Sequence, residues 1–360
     1  MSTNPVHALD AAHYTDPTLF EREQERIFRR TWQFAGHVSQ LERPGDYFAL
    51  ELHGRGLFCM KDREGAVRAF YNACRHRAHQ LVEGSGHKRV LVCPYHAWTY
   101  ELDGRLRAAP GADRVPGFDV SGIRLTPVRS EIVGGFVFVN LDPDAAPMEH
   151  WYPGVAAALA EYLPDPERLR PVRTCEVVER CNWKVSVENY SECYHCRLNH
   201  PTFSNGVVEA DGYDIIAHGR GLRHVTKSVP VDSLTYRVDA GSHPHALDYT
   251  SWYLWPTFSF QVYPGNVLNT YVWQAIDHRT TRVVRQWFAA PGVEPELIES
   301  LAEQDLRTTV AEDVRLVESV QRGLESGGYR PAPLVINPKG GVNSEHSILA
   351  LYEWLGEAMA

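Results

Sequence analysis

The chain lacks any run of eighteen or more apolar residues, so none of its 360 residues lies in a segment that reads as a membrane span. It also lacks an excess of positive charge: 36 Lys and Arg stand against 45 Asp and Glu, a formal net charge of −9. Nucleic-acid binding draws on a basic surface and is not expected. The acidic balance is compatible with a cationic ligand, although whole-chain charge does not describe any single pocket. No internal repeat and no low-complexity tract is present, which excludes solenoid architectures. Met1–Ala11 has no charged-then-apolar leader layout. Cysteine is sparse and odd in number: Cys59, Cys74, Cys93, Cys175, Cys181, Cys193 and Cys196. Such a set gives no even disulfide framework, and the expected compartment is a reducing cytoplasm. Hydrophobic content of 44% and charged content of 22% are ordinary for a globular protein, and the length allows two cores.

Two short stretches carry most of the remaining information, Cys74-Arg75-His76 and Cys93-Pro94-Tyr95-His96. Each offers one thiolate and one imidazole. Two Cys and two His divided evenly between two loops are the donor set of a Rieske [2Fe–2S] centre, in which two His replace two Cys on one iron. Zinc also takes Cys2His2, but usually pairs Cys with Cys and His with His at wider spacing. Val90-Leu91-Val92 leads as a strand into Cys93, and Thr99 to Leu106 reads as strand, Asp-Gly turn, strand. Two hairpin tips can then close on a cluster.

A second constellation lies at 182–203, where His195 and His200 are spaced H-x4-H and Glu192 precedes His195 by three. A non-haem Fe(II) centre needs two imidazoles and one carboxylate on one face of the metal. Five residues turn a helix by roughly 500°, so both rings cannot face one way on regular helix. Pro201 predicts that the helix stops near His200. Glu192 and His195 would be i,i+3 neighbours. Cys193 and Cys196 have C-x-x-C spacing without a thioredoxin-like context, and are expected to pack beside the iron helix. The carboxylate ligand belongs in the stretch around Glu312 and Asp313, where Val310, Val314, Val317 and Val320 recur at helical spacing and Gly323 suits a C-terminus. Spacing does not choose between Glu312 and Asp313.

Together these motifs resemble the catalytic α-subunits of Rieske non-haem iron oxygenases, the ring-hydroxylating dioxygenase family, over essentially the whole chain. The resemblance implies an α+β protein: an all-β Rieske domain plus a mixed α+β catalytic domain, with helices on an antiparallel sheet. Cys74, His76, Cys93 and His96 would hold the [2Fe–2S] cluster, and His195, His200 and Asp313 a mononuclear Fe(II). O2 would be co-substrate, and NAD(P)H would supply electrons through a separate flavin and iron–sulfur reductase. Glu192 stands where the family places an acidic bridge between the two metal centres of neighbouring subunits, here joining His195 to His96. That route implies a homotrimer. Most members carry Asp there; the branch resembling carnitine monooxygenases also uses Glu, so Glu192 reads as a mark of that branch. Asn189 matches a position beside the iron.

Glu192-Cys193-Tyr194-His195-Cys196, Glu318-Ser319-Val320-Gln321-Arg322-Gly323-Leu324 and Gly327-Gly328-Tyr329-Arg330 resemble the same quaternary-amine branch. The implied reaction hydroxylates a carbon next to the nitrogen, leading to N-demethylation or C–N cleavage. Tyr190, Tyr194, Trp252, Trp255, Tyr263 and Tyr271 are candidate pocket residues, because aromatic faces attract quaternary ammonium groups. The other readings are a Rieske oxygenase acting on an aromatic substrate (ring dihydroxylation or O-demethylation) and a non-catalytic electron carrier or zinc module. The expected organisation is a helical segment at 1–40 packing on the catalytic domain, with a helix from Pro17 to Phe34 and a turn at Gly36-His37. A Rieske domain at 41–145 and a catalytic domain at 148–360 follow. In the latter, a helix at Gly154–Tyr162, strands at Leu234–Asp239, Ser259–Tyr263, Val267–Ile276 and Arg282–Ala289, and helices near 294–324 and 345–358 are expected.

Overall fold

Glycine-punctuated apolar segments between Gln33 and Asn140 fold into ten short strands. The structure, a computed structural model, describes residues 6–239, 241 and 244–360. The strands are β1 (Gln33–His37), β2 (Asp46–Leu52), β3 (Arg55–Lys61), β4 (Val67–Tyr71), β5 (Ser85–His87), β6 (Leu91–Val92), β7 (Thr99–Tyr100), β8 (Leu106–Ala108), β9 (Pro127–Val133) and β10 (Phe136–Asn140). Seven pair antiparallel in the order β1-β10-β9-β4-β3-β2-β5, and β6-β7-β8 form a separate three-stranded sheet. The Asp103-Gly104 turn joins β7 to β8 with Gly104 at φ 85°, and a Cβ there would meet the Phe70 ring at 2.6 Å. Only glycine satisfies both demands. This compact unit spans Phe28–Pro147.

Its start differs from the expected boundary near residue 40. Residues 17–34 are not one helix: Pro17–Glu23 is α-helical, Gln24–Phe28 is a π turn, and Gln33–His37 is a strand paired with β10. Leu19, Phe20, Ile27 and Phe28 keep helical spacing, but Gln33 and Phe34 gain more from sheet pairing, and that tertiary contact overrides local preference. Gly36 and His37 therefore lie in β1 rather than in a turn. A bulge falls between Phe34 and Gly36, and a Cβ on Gly36 would approach Phe48 to 2.7 Å.

The other unit joins the residues up to Ile27 with Met148–Ala360. Its helices are α1 (Ala12–Thr15), α2 (Pro17–Glu23), α3 (Met148–Trp151), α4 (Val155–Tyr162), α5 (Trp183–Ser191), α6 (Cys196–Asn199), α7 (Pro201–Gly206), α8 (Pro295–Asp305), α9 (Ala311–Glu325) and α10 (His346–Met359). Its strands are β11 (Arg170–Glu179), β12 (Asp214–His218), β13 (Gly221–Lys227), β14 (Asp248–Leu254), β15 (Phe258–Tyr263), β16 (Val267–Asp277) and β17 (Thr280–Ala289), in the antiparallel order β11-β17-β16-β15-β14-β13-β12. The α+β expectation holds. Leu234–Asp239 is not a strand; it follows a 3-10 turn at Val231–Ser233, and the Tyr236 hydroxyl donates to the Pro264 carbonyl at 2.9 Å.

Helix α5 carries the site and is held from several sides. Asn182 caps it, accepting from the Lys184 amide at 3.0 Å. Cys181 and Val185 pack with Val317 and Leu324 of α9 and with Tyr14. Lys184 and Glu23 form a buried ion pair at 2.5 Å, and the Trp183 indole donates to the same carboxylate at 2.7 Å. Removing one partner of such a pair typically costs about 3–5 kcal/mol, because the remaining charge is left buried alone. The pair fastens α2 to the start of α5.

Candidate metal centres and substrate pocket

The two Cys/His loops have the same backbone. The Ala78 amide donates to the Cys74 carbonyl and the Ala97 amide to the Cys93 carbonyl, each at 2.9 Å. Both alanines are left-handed, with φ 58° and 57°, a conformation that a non-glycine residue keeps only where its surroundings enforce it. Each tip buries its cysteine and exposes its histidine. Tyr100 contacts Cys74 Sγ at 3.2 Å and accepts from the Arg75 amide at 3.0 Å. The His76 and His96 rings lie 4.6 Å apart, and His76 stacks on Trp98 at 4.8 Å.

These four donors do not meet at one point. Among the described residues, only His195, His200 and Asp313 bring three ligand atoms within 4.8 Å of one another. One tetrahedral zinc with bonds of about 2.0–2.3 Å would hold all four within about 4 Å. Two inner thiolates and two outer imidazoles fit a two-iron cluster instead.

Beyond α5 the chain breaks into short pieces that aim the second set. Ser191 ends α5, and Glu192 is extended, at φ −131° and ψ 165°. His195 precedes α6, and His200 stands between α6 and α7, where Pro201 begins the next helix. The break at Pro201 is as expected. The Glu192–His195 contact forms, with Oε1 to Nδ1 at 2.5 Å, but across a loop rather than along a helix. Cys193 and Cys196 are joined by a disulfide around His195, which corrects the reading of two packed thiols.

Across from these, Leu306–Val310 makes a π turn and α9 then presents two consecutive carboxylates. Asp313 Oδ1 lies 3.0 Å from His200 Nε2 and 3.6 Å from His195 Nε2, and the two Nε2 atoms are 3.0 Å apart. Donors roughly 2.1 Å from one ion at right angles would lie about 3 Å apart, so the three atoms suit a facial triad with open positions. Glu312 instead reaches the far nitrogen, His200 Nδ1, at 2.9 Å. Asn189 donates to Asp313 Oδ1 at 2.8 Å.

Burial alone would depress the His195 imidazole, but its hydrogen bonds to Asp313 and Glu192 prevail and raise it to about 10. His200 is raised too, against burial, by Asp313 and then Glu312. Burial would raise Asp313, yet the two imidazoles hold it below the usual carboxylate range. A cation competes with these protons for the same atoms, and its binding expels them. Fe(II) affinity is therefore expected to rise with pH between 6.5 and 8.5, by about tenfold per unit for each proton expelled. Competition against a chromophoric chelator reads it; a flat profile would mean the imidazoles are already free.

A cavity of about 50 Å³ opens on the triad. Of the expected aromatics, Tyr190, Tyr263 and Tyr271 line it. Three do not. Tyr194 is 49% exposed; Trp255 packs between Trp183 and Trp354; Trp252 lies against Arg223 and His218. Strand alternation explains Trp252: Ser251 and Tyr253 of β14 contact Tyr190, so position 252 between them points away. Phe203, Tyr213, His224, Tyr249, Gln261 and Thr309 also line the cavity and were not foreseen. The alternation in β13 to β15 was the available signal. The Tyr190 hydroxyl meets Ser251 Oγ at 2.5 Å and Ser259 Oγ, and accepts from Gln261 Nε2 at 3.1 Å. Burial lowers His224 to about 3, keeping it neutral. No Lys or Arg is among the described lining residues. Ligand pockets usually measure about 300–1,000 Å³, so side chains must move to admit a substrate. A larger cleft of about 1030 Å³ lies beside α7, and two of its charged pairs are already formed, Arg197 with Asp211 and Lys227 with Asp248.

Residues 166–360 match the ring hydroxylating alpha subunit (catalytic domain) family, and residues 31–119 the Rieske [2Fe-2S] domain family. The chain is 35% identical over 359 residues to the carnitine monooxygenase oxygenase subunit of Escherichia coli (strain K12), covering 98% of this chain and 95% of that one. It is 36% identical over 209 residues to the glycine betaine monooxygenase oxygenase subunit of Chromohalobacter salexigens, covering 58% and 46%. The crystal structure of the quaternary ammonium Rieske monooxygenase CntA in complex with substrate L-carnitine superposes with a TM-score of 0.85 at 32% identity, covering 99% and 96%.

Proposed function

Because the chain belongs to the ring-hydroxylating α-subunits, oxygenases that combine a Rieske cluster with a mononuclear iron, we propose that it oxidises a quaternary ammonium compound at a carbon next to the nitrogen. The observation that carries the reading is the meeting of His195, His200 and Asp313 at an aromatic cavity with no Lys or Arg among its described lining residues. When bound, the iron supplies open positions for O2 activation and the cluster supplies electrons. The side chains do the rest. His195, His200 and Asp313 hold the metal, and Asn189 orients the Asp313 carboxylate. Tyr190, Tyr263 and their neighbours bind the cation by their ring faces, while Tyr271 already carries the Arg285 guanidinium 4.3 Å over its ring. Glu192 fixes the His195 tautomer and bridges to His96 of a neighbouring subunit, which calls for an oligomer, a homotrimer in this reading. A reductase partner delivers the electrons, and the setting is the cytoplasm.

The overall change is balanced by one O2, two electrons and two protons: a C–H bond becomes C–OH and one water leaves. The carbinolamine then expels a tertiary amine and forms a carbonyl, or loses formaldehyde if a methyl was attacked. A cation box is tested with a carbon isostere, γ-butyrobetaine against the same acid with a quaternary carbon in place of nitrogen. A desolvated cation–π contact of about 2 kcal/mol or more predicts roughly 30-fold tighter binding of the cation by calorimetry. Equal binding would remove the charge-selective role of the rings.

A further inference from the structure

We propose that Glu312 is a positioning residue for the candidate iron centre, accepting a hydrogen bond from His200 Nδ1–H and thereby presenting an unprotonated Nε2 to the metal. The inference rests on reading His195, His200 and Asp313 as the ligands. His200 is buried, its side chain 3% exposed, and both its nitrogens are engaged by one helix turn: Nδ1 by Glu312 Oε2 at 2.9 Å and Nε2 by Asp313 Oδ1 at 3.0 Å. Neighbouring helical residues point about 100° apart and do not normally grip one ring. Side-chain length resolves this. Asp313 is short and meets the near nitrogen, while the extra methylene of Glu312 carries its carboxylate round to the far one. The π turn at Leu306–Val310 shifts the phase of α9 relative to α8 just before these residues, and π turns of this kind are frequent at functional sites.

The arrangement repeats at the other imidazole. Glu192 Oε1 holds His195 Nδ1 at 2.5 Å, so each ring has its own outer carboxylate, one from the loop after α5 and one from α9. Their surroundings separate their roles. Glu192 also accepts from the His195 backbone amide at 3.3 Å and from that of Tyr194, which anchors the loop. For Glu312 the hydrogen bond to His200 is the contact the structure gives. A carboxylate on the second nitrogen fixes the tautomer and increases the donor strength of the first. Glu312 therefore acts on metal affinity, whereas Glu192 is placed to act on communication between centres.

The test measures Fe(II) affinity of the full chain with its Rieske cluster in place, by chelator competition, with the electron paramagnetic resonance signal of the Fe(II)–nitric oxide adduct reporting site symmetry. Three variants are compared with wild type: Glu312→Leu, Glu312→Gln and His200→Ala. Loss of the outer carboxylate in Glu312→Leu is expected to weaken Fe(II) binding by about 10–100-fold and to alter the nitric oxide signal, with the cluster spectrum unchanged. Glu312→Gln keeps an acceptor of half the strength and should recover part of the affinity. Wild-type affinity in Glu312→Leu, while His200→Ala loses iron, would overturn the role of Glu312 and leave the metal centre standing. Iron retained by His200→Ala would overturn the metal centre and this inference with it. Should Glu312→Leu fail to fold, Glu312→Gln decides: severalfold weaker binding supports the role, and wild-type binding overturns it.

Discussion

Glu192→Gln is expected to leave all three irons bound, two in the cluster and one at the triad, while product formation falls by about 100-fold or more. The carboxylate meets His195 Nδ1 at 2.5 Å and its side chain is 14% exposed, so one oxygen faces inward and the group still reaches the surface. The proposed bridge to His96 of another subunit would use this exposed edge. Gln keeps the size and one acceptor oxygen, so the loop and the metal should survive; it loses the charge that the proposed bridge would need to bind a second imidazole. Stopped-flow spectra would show a cluster that no longer reoxidises in step with product. Full turnover in this variant would remove the bridging role and leave Glu192 as a holder of the His195 tautomer.

Asp313→Ala is expected to reduce iron from three to two per chain and to abolish turnover, with the cluster spectrum intact. Two imidazoles alone do not make a facial triad. Glu312 cannot substitute, since it is committed to the opposite edge of His200. The loss also frees the Asn189 amide, which donates to Asp313 Oδ1 at 2.8 Å, and leaves His195 and His200 without the carboxylate between them. Iron analysis with oxygen uptake reads both effects. A variant that keeps its third iron would place the carboxylate ligand elsewhere.

The candidate metal ligands were legible because their chemistry is local. A cysteine two or three residues from a histidine offers its donors from one loop tip, and Pro201 announces the break that aims His200. The carboxylate was legible only as a pair, since Glu312 and Asp313 differ by one position and one methylene; the fold assigns one to each nitrogen of His200. The pocket was read poorly because aromatic content does not state direction. Trp252 and Tyr253 are neighbours in sequence and face opposite sides of β14, while Phe203 and Thr309 come from a short helix and a π turn with no aromatic pattern. The N-terminal helix differs from the expectation for a related reason: nothing local in Gln33 to His37 records the strand β10, about a hundred residues later, that it pairs with. The disulfide of Cys193 and Cys196 escaped the cysteine count because an odd total hides one pair among five free thiols.

Oxygen uptake by the iron-loaded protein, driven by a surrogate reductase and NADH, tests the proposed activity most directly. Carnitine, γ-butyrobetaine, glycine betaine, choline and stachydrine would be compared with simple aromatic acids, and the products identified by mass spectrometry. Uptake with a quaternary amine, matched mole for mole by trimethylamine or formaldehyde, is the expected result. Uptake with aromatic acids alone, and no amine or formaldehyde released, would contradict the quaternary-amine assignment.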